Sequence, residues 1–181
     1  MVLDPLLFLV ASALLGGLFA IGGVSKLMGF AQFVATVGNY RLLPGPLVLP
    51  AALLVALSEL LLGLGALVSS RFDMLTPSFF CIAALLLIYA ASIGINLLRG
   101  RRHIDCGCHA FTADGSPLSW YLVWRNAALA AVALGVGGVT VMPRSFGVID
   151  WISALGAIAA FPLLYLAFGQ LSVTGLGKAM S

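Results

Sequence analysis

Two cysteines separated by one glycine, Cys106-Gly107-Cys108, are the residues of this sequence best suited to chemistry. Residues two apart lie about 5.5–7 Å from each other, which overlaps the roughly 4.4–6.8 Å Cα separation that a disulfide tolerates. Glycine between them lets the backbone bend without a Cβ clash. A disulfide there closes a small, strained ring, and strained, exposed disulfides are the labile and catalytic ones. Arg101, Arg102, His103 and His109 surround the pair. Nearby positive charge raises the thiolate fraction of a cysteine, and the thiolate is the nucleophile; Asp105 opposes this in part.

The same residues admit two other readings. Cys106, Cys108, His103 and His109 supply the atoms of a Cys2His2 metal set, but more tightly spaced than the usual zinc pattern. Two thiolates suit Cu(I), and two cysteines cannot supply a four-thiolate iron–sulfur cluster. A third reading is a structural clip with no chemistry. Cys81 stands apart, about 37 Å of helix away at 1.5 Å per residue, and is expected as a small buried filler.

The elements that must position these residues are apolar. The 181 residues are 62% hydrophobic and 8% charged, against about 25% charged in soluble domains. Such a chain cannot cover a water-exposed surface, so lipid must face most of its exterior. Five runs are long enough to span a bilayer as helices: 6–28, 46–68, 75–98, 118–142 and 152–171. The expected fold is an all-α integral membrane protein, one domain over 1–181, in a compact bundle of about five transmembrane helices (a four-helix core plus one). Pro46 and Pro50 fall in the opening turns of the second run, and Pro162 inside the fifth marks a kink. The net charge of +3 comes from a few Lys and Arg in loops and helix ends, which points to membrane orientation rather than nucleic acid.

Two connections carry more than a turn. Phe30, Phe33, Val34, Val37 and Tyr40, within 29–45, are spaced to form one apolar face of a short interfacial helix. The polar stretch 99–117 holds the thiol pair, and Ser116-Pro117 reads as the start of the fourth helix. With five spans, the positive charges turn the connections around Lys26, Arg41, Arg99, Arg101 and Arg102 toward the cytoplasm.

Polar residues inside the apolar runs complete the candidate set. Glu59 lies well inside the second run, Arg125 and Asn126 inside the fourth, Lys26 at the end of the first, and Asn96 near the end of the third. A charge in hydrocarbon costs about 2.5–3.5 kcal/mol or more, so such residues face inward and pair. Glu59 is expected to pair with Arg125 or Lys26, either as a buried latch or as part of a proton relay or quinone-head site. Trp120 and Trp124 read as interfacial anchors; with Tyr40 they could also rim a quinone pocket.

Lys26, the run Tyr40-Arg41-Leu42-Leu43-Pro44, Glu59, Asn96-Leu97-Leu98-Arg99-Gly100, Asp105-Cys106-Gly107-Cys108, Trp120 and Arg125-Asn126 together resemble the MauE family of methylamine utilisation membrane proteins, within the DoxX-like group. The resemblance covers about residues 5 to 140. Where the family pattern often continues Phe-Gly after the second cysteine, this chain has His109-Ala110. The resemblance implies a multi-pass protein of the bacterial inner membrane. It implies thiol–disulfide redox work in the maturation of methylamine dehydrogenase, a periplasmic quinoprotein whose small subunit is rich in disulfides, alongside a thioredoxin-like partner of the MauD type. A non-enzymatic scaffold for the same maturation, or a Cu(I)-handling protein, are the alternatives. The periplasmic substrate and the cytoplasmic charge bias place the thiol loop on opposite sides, so the side stays open.

Overall fold

The computed structural model describes residues 2–69, 77–101, 104, 118–141 and 145–174. Cys106, Cys108, Arg102, His103, Asp105 and His109 lie outside the described residues. The described residues form six helices: α1 (Pro5–Met28), α2 (Phe30–Asn39), α3 (Gly45–Ser69), α4 (Pro77–Leu98), α5 (Trp120–Gly137) and α6 (Val148–Thr174). One pair of two-residue strands joins the ends of the chain's first and fourth apolar runs: β1 (Val2–Leu3) pairs in parallel with β2 (Thr140–Val141).

Local chemistry sets the helix ends. Asp4 caps α1, its carboxylate accepting the Leu6 N–H at 2.8 Å, and Pro5 sits where a missing N–H leaves nothing unpaired. Gly29 separates α1 from α2, the expected interfacial helix, which buries Phe33 and Thr36. α5 stops at Gly137, earlier than the fourth apolar run, to 142, suggests. Glycines weaken helix there, and Gly138 closes it by donating its N–H to the Leu134 carbonyl at 3.0 Å. Pro162 lies inside α6 as expected.

α1, α3 and α4 are each long and apolar enough to cross a membrane. α5 is less apolar because Arg125 and Asn126 occupy its first half. The outward side of α3 exposes Leu53, Leu54, Leu57, Leu61 and Leu64. A continuous leucine face of this kind is stable against lipid and not against water. The fold is that of an all-helical membrane protein.

The bundle is built from two close pairs. α1 packs most extensively on α3, and α4 on α5. Glycine makes the first pair possible: a Cβ at Gly23 would lie 2.6 Å from the Leu60 nitrogen, and one at Gly63 would lie 2.3 Å from the Ala20 nitrogen. The two backbones touch there, and close packing of this kind drives helix association in lipid. Phe8 of α1 meets Phe79 of α4 edge-on, ring centroids 5.7 Å apart, and joins the pairs at one end. α6 lies outside this core, against α1.

Cys81 corrects one expectation. It is exposed on α4, not buried. The inward stripe of that helix is taken by Phe79, Ile82, Ala83 and Leu86. Residue 81 falls off that stripe at 3.6 residues per turn, and a small apolar thiol is at home against lipid.

Candidate functional site

The C-terminus of α4 sets where the thiol loop leaves the bundle. Gly100 adopts φ 72°, its N–H bonding the Leu97 carbonyl at 3.0 Å, and the Arg101 N–H bonds the Asn96 carbonyl at 2.9 Å. These two bonds form a Schellman cap, which turns the chain sharply out of the helix. Arg101, expected to support the thiols, sends its guanidinium to the Asn39 carbonyl at 3.4 Å. That carbonyl is at the C-terminal end of α2, where partial negative charge collects.

The chain then returns to the bundle. Ile104 packs against a buried cluster of Tyr40, Ile93, Leu97, Leu118 and Leu122, which Leu42 also joins. Ile104 precedes the thiol pair and Leu118 follows it, so both stems of the loop are held at one end of the bundle. The same cluster includes Tyr40 and Leu42 from the turn after α2. This end is therefore a joint between the α2–α3 connection and the α4–α5 connection.

Deeper in the bundle sits a buried polar triad. Lys26 Nζ lies 2.6 Å from Glu59 Oε2, and both side chains are nearly enclosed, 11% and 5% exposed. The Tyr89 hydroxyl donates to Glu59 Oε1. The ammonium also faces the rings of Phe33 and Tyr89, 5.5 and 5.8 Å from their centroids, a favourable place for a cation. Gly22 leaves the room: a Cβ there would lie 3.3 Å from Glu59 Oε2. Of the two cations expected beside Glu59, Lys26 forms the salt bridge. Tyr89 was not anticipated. It ties α3 to α4 and so links the two close pairs, and it lies roughly 14 Å below the end of α4 at 1.5 Å per residue.

The other polar candidates are distributed around this axis. Asn96 is fully buried on α4; its Nδ2 donates to the Ser92 carbonyl at 3.0 Å, and its Oδ1 has no hydrogen-bond partner among the described residues. Asn126 is buried on α5, its Nδ2 likewise without a partner among the described residues. Arg125 is half-buried on the same helix.

The three aromatic residues considered as a quinone rim are not brought together. Tyr40 is buried against Leu118 and Leu122, whereas Trp120 and Trp124 are exposed on the other side of α5. The two tryptophans thus point outward like interfacial anchors. They do not frame one head-group pocket with Tyr40. Among the described residues no three His, Cys, Asp or Glu side chains are grouped to hold a metal; the set of His103, Cys106, Cys108 and His109 lies outside them.

Comparison with known proteins gives this architecture a family. The family model described as methylamine utilisation protein MauE matches residues 4–138, from the cap of α1 to the end of α5. The methylamine utilization protein MauE of Methylophilus methylotrophus is 34% identical over 168 residues, covering 92% of this chain and 86% of its own. That of Paracoccus denitrificans is 34% identical over 181 residues, covering 99% and 93%, and that of Paracoccus versutus 33% over 173 residues, covering 96% and 90%. No solved structure matches the chain. With the matched region spanning the whole two-pair core, its buried Lys26–Glu59 bridge and the stems of the thiol loop, this chain belongs to the MauE family of methylamine utilisation proteins.

Proposed function

We propose that this protein is a thiol–disulfide exchanger of the bacterial inner membrane that assists disulfide formation in methylamine dehydrogenase, working with a thioredoxin-like partner. One observation carries the reading: Ile104 and Leu118, on either side of Cys106-Gly107-Cys108, pack in one cluster at the end of the bundle. A cysteine pair on a loop tethered at both stems is presented to a partner without unravelling the core. Membership of a methylamine utilisation family supplies the physiological setting.

The chemistry is a balanced exchange. A substrate thiolate attacks the Cys106–Cys108 disulfide and forms a mixed disulfide, releasing one cysteine as a thiolate. The second substrate thiolate then attacks that mixed bond, leaving the substrate oxidised and Cys106 and Cys108 as a dithiol. Two electrons have moved to the membrane protein, and the two protons that the substrate thiols gave up on ionising are taken up through solvent by Cys106 and Cys108, so that no net proton is released. A disulfide of the thioredoxin-like partner takes the electrons by the same steps and restores the pair. Arg101 and Arg102, a few residues before the pair in sequence, favour the thiolate forms on which each attack depends.

The test is to replace Cys106→Ser and Cys108→Ser separately and measure active dehydrogenase with a fully paired small subunit. Each variant should bring maturation down to the level of cells lacking the protein. Normal maturation in both would eliminate the exchange chemistry and favour a scaffold that docks the maturation partners.

A further inference from the structure

The contact between α4 and α5 is apolar except at two places. On α5 the buried face runs through Leu122, Asn126, Ala130, Ala133 and Val136, and Asn126 interrupts it. On α4 it runs through Ile82, Leu86, Ala90, Ile93, Asn96 and Leu97, and Asn96 interrupts it. These faces pack on each other: Ala130 and Ala133 share a cluster with Ile82 and Leu86, and Leu122 shares one with Ile93 and Leu97.

Helix register brings the two asparagines toward one point. Gly137, at the end of α5, meets Phe79, at the start of α4; a Cβ built on the glycine would lie 3.0 Å from the Phe79 Cβ. Leu122, near the start of α5, packs with Leu97, near the end of α4. The helices are therefore antiparallel. An equal number of residues along each helix from the Phe79–Gly137 contact come Ala90 and Asn126. Asn96 stands roughly 9 Å further along α4, at 1.5 Å per residue. A helical side chain leans toward the N-terminus of its own helix. In antiparallel neighbours that lean carries Asn96 and Asn126 toward each other. Asn96 displays it, since its Nδ2 reaches back one turn to the Ser92 carbonyl at 3.0 Å.

The leftover atoms are complementary. The Ser92 carbonyl can only accept, so it fixes which way the Asn96 amide points and leaves Oδ1, an acceptor, facing away. Asn126 leaves Nδ2, a donor. Neither atom has a partner among the described residues, and the two side chains are enclosed, Asn96 0% and Asn126 3% exposed. Leaving such groups unpaired away from solvent is costly, and native interiors satisfy them with protein or with ordered water. Neither amide is charged, so nothing at this point would hold an ion. The fitting ligand donates and accepts at once, and a single oxygen spans two hydrogen bonds of about 2.7–3.2 Å each.

We propose that Asn96 and Asn126 form a buried binding site for one water molecule, which accepts a hydrogen bond from Asn126 Nδ2 and donates one to Asn96 Oδ1. The site joins α4 to α5 beside the cluster that holds Ile104 and Leu118. It does not depend on thiol exchange.

Radiolytic footprinting tests it on the full-length protein in lipid nanodiscs. A brief X-ray pulse makes hydroxyl radicals from bound water, and mass spectrometry locates the side chains they oxidise. Ile93, Leu97 and Leu122 should be labelled in the wild type although they are buried, and the label should incorporate oxygen from ¹⁸O-water only slowly after mixing. In Asn96→Leu/Asn126→Leu the label should fall to background. Thermal unfolding supplies the second measurement. Each single variant, Asn96→Leu or Asn126→Leu, strands the remaining amide and should unfold below the double variant. No label at Ile93, Leu97 and Leu122 in the wild type would overturn the proposal. So would a label that persists in the double variant, or losses of stability that simply add. If the double variant does not fold, the wild-type label and its slow exchange decide the matter alone.

Discussion

Lys26 and Arg41 lie on either side of one short helix and carry the same charge in opposite circumstances. Lys26 is enclosed, bridged to Glu59 at 2.6 Å and set against two aromatic rings. Its backbone is ordinary helix. Arg41 is exposed, and its backbone is strained. Inside the bundle a charge must be neutralised where it stands, because hydrocarbon offers it no solvent. At the end of the bundle water and lipid head groups can solvate an arginine, so no partner charge is required there. The first charge holds helices together; the second closes a short helix whose flanking residues Tyr40 and Leu42 pack with Ile104 and Leu118.

The largest effect that could break this contrast lies in the triad. Glu59→Ala leaves the Lys26 ammonium buried without its carboxylate, a change worth about 3–5 kcal/mol against stability. Thermal unfolding in nanodiscs should show a large loss, and the doubly apolar Lys26→Met/Glu59→Leu should recover most of it. A double variant that folds well but no longer supports dehydrogenase maturation would give the pair a chemical role and erase the distinction drawn here. Tyr89→Phe should cost less, about 1.5–3 kcal/mol for one hydrogen bond to a charged group, measured in the same way. It should also loosen the seam between the two helix pairs, read as faster amide exchange in α3 and α4.

The smallest effect comes from the helix end that needs no side chain. Among the described residues a Cβ at Gly100 would meet nothing within 4 Å, so Gly100→Ala is penalised there by φ. The expected loss is about 1 kcal/mol in thermal unfolding. Arg41→Gly, at the matching position after α2, removes the same strain and should be neutral or stabilising. A lower unfolding temperature in Arg41→Gly would mean that the arginine side chain holds its turn.

The helices were legible in the sequence because lipid demands long apolar runs, and α1, α3 and α4 appear almost where those runs begin and end. The Lys26–Glu59 bridge was legible as one of two pairings for the same reason: a lone carboxylate in such a run requires a cation. Tyr89 was not, since a tyrosine among leucines reads as packing. Its signal was there in the spacing of Ile82, Leu86, Tyr89, Ile93 and Asn96, a four-and-three alternation that puts it on the buried face of α4. Tyr40 and the two tryptophans share a chemical type without sharing a face, which residue type alone does not show. The strain at Arg41 is a backbone angle, and residue identity alone gives no sign of it.

The thiol pair itself can be interrogated in living cells. Growth on methylamine, acid quenching and modification with a maleimide polymer would separate the disulfide and dithiol forms of Cys106 and Cys108 on a gel, with Cys81→Ala as the background. The pair should be found in both forms, and loss of the thioredoxin-like partner should drive it to the dithiol, because nothing then withdraws the electrons. A single form that neither loss of the partner nor added reductant can shift would contradict thiol exchange as the work of this protein.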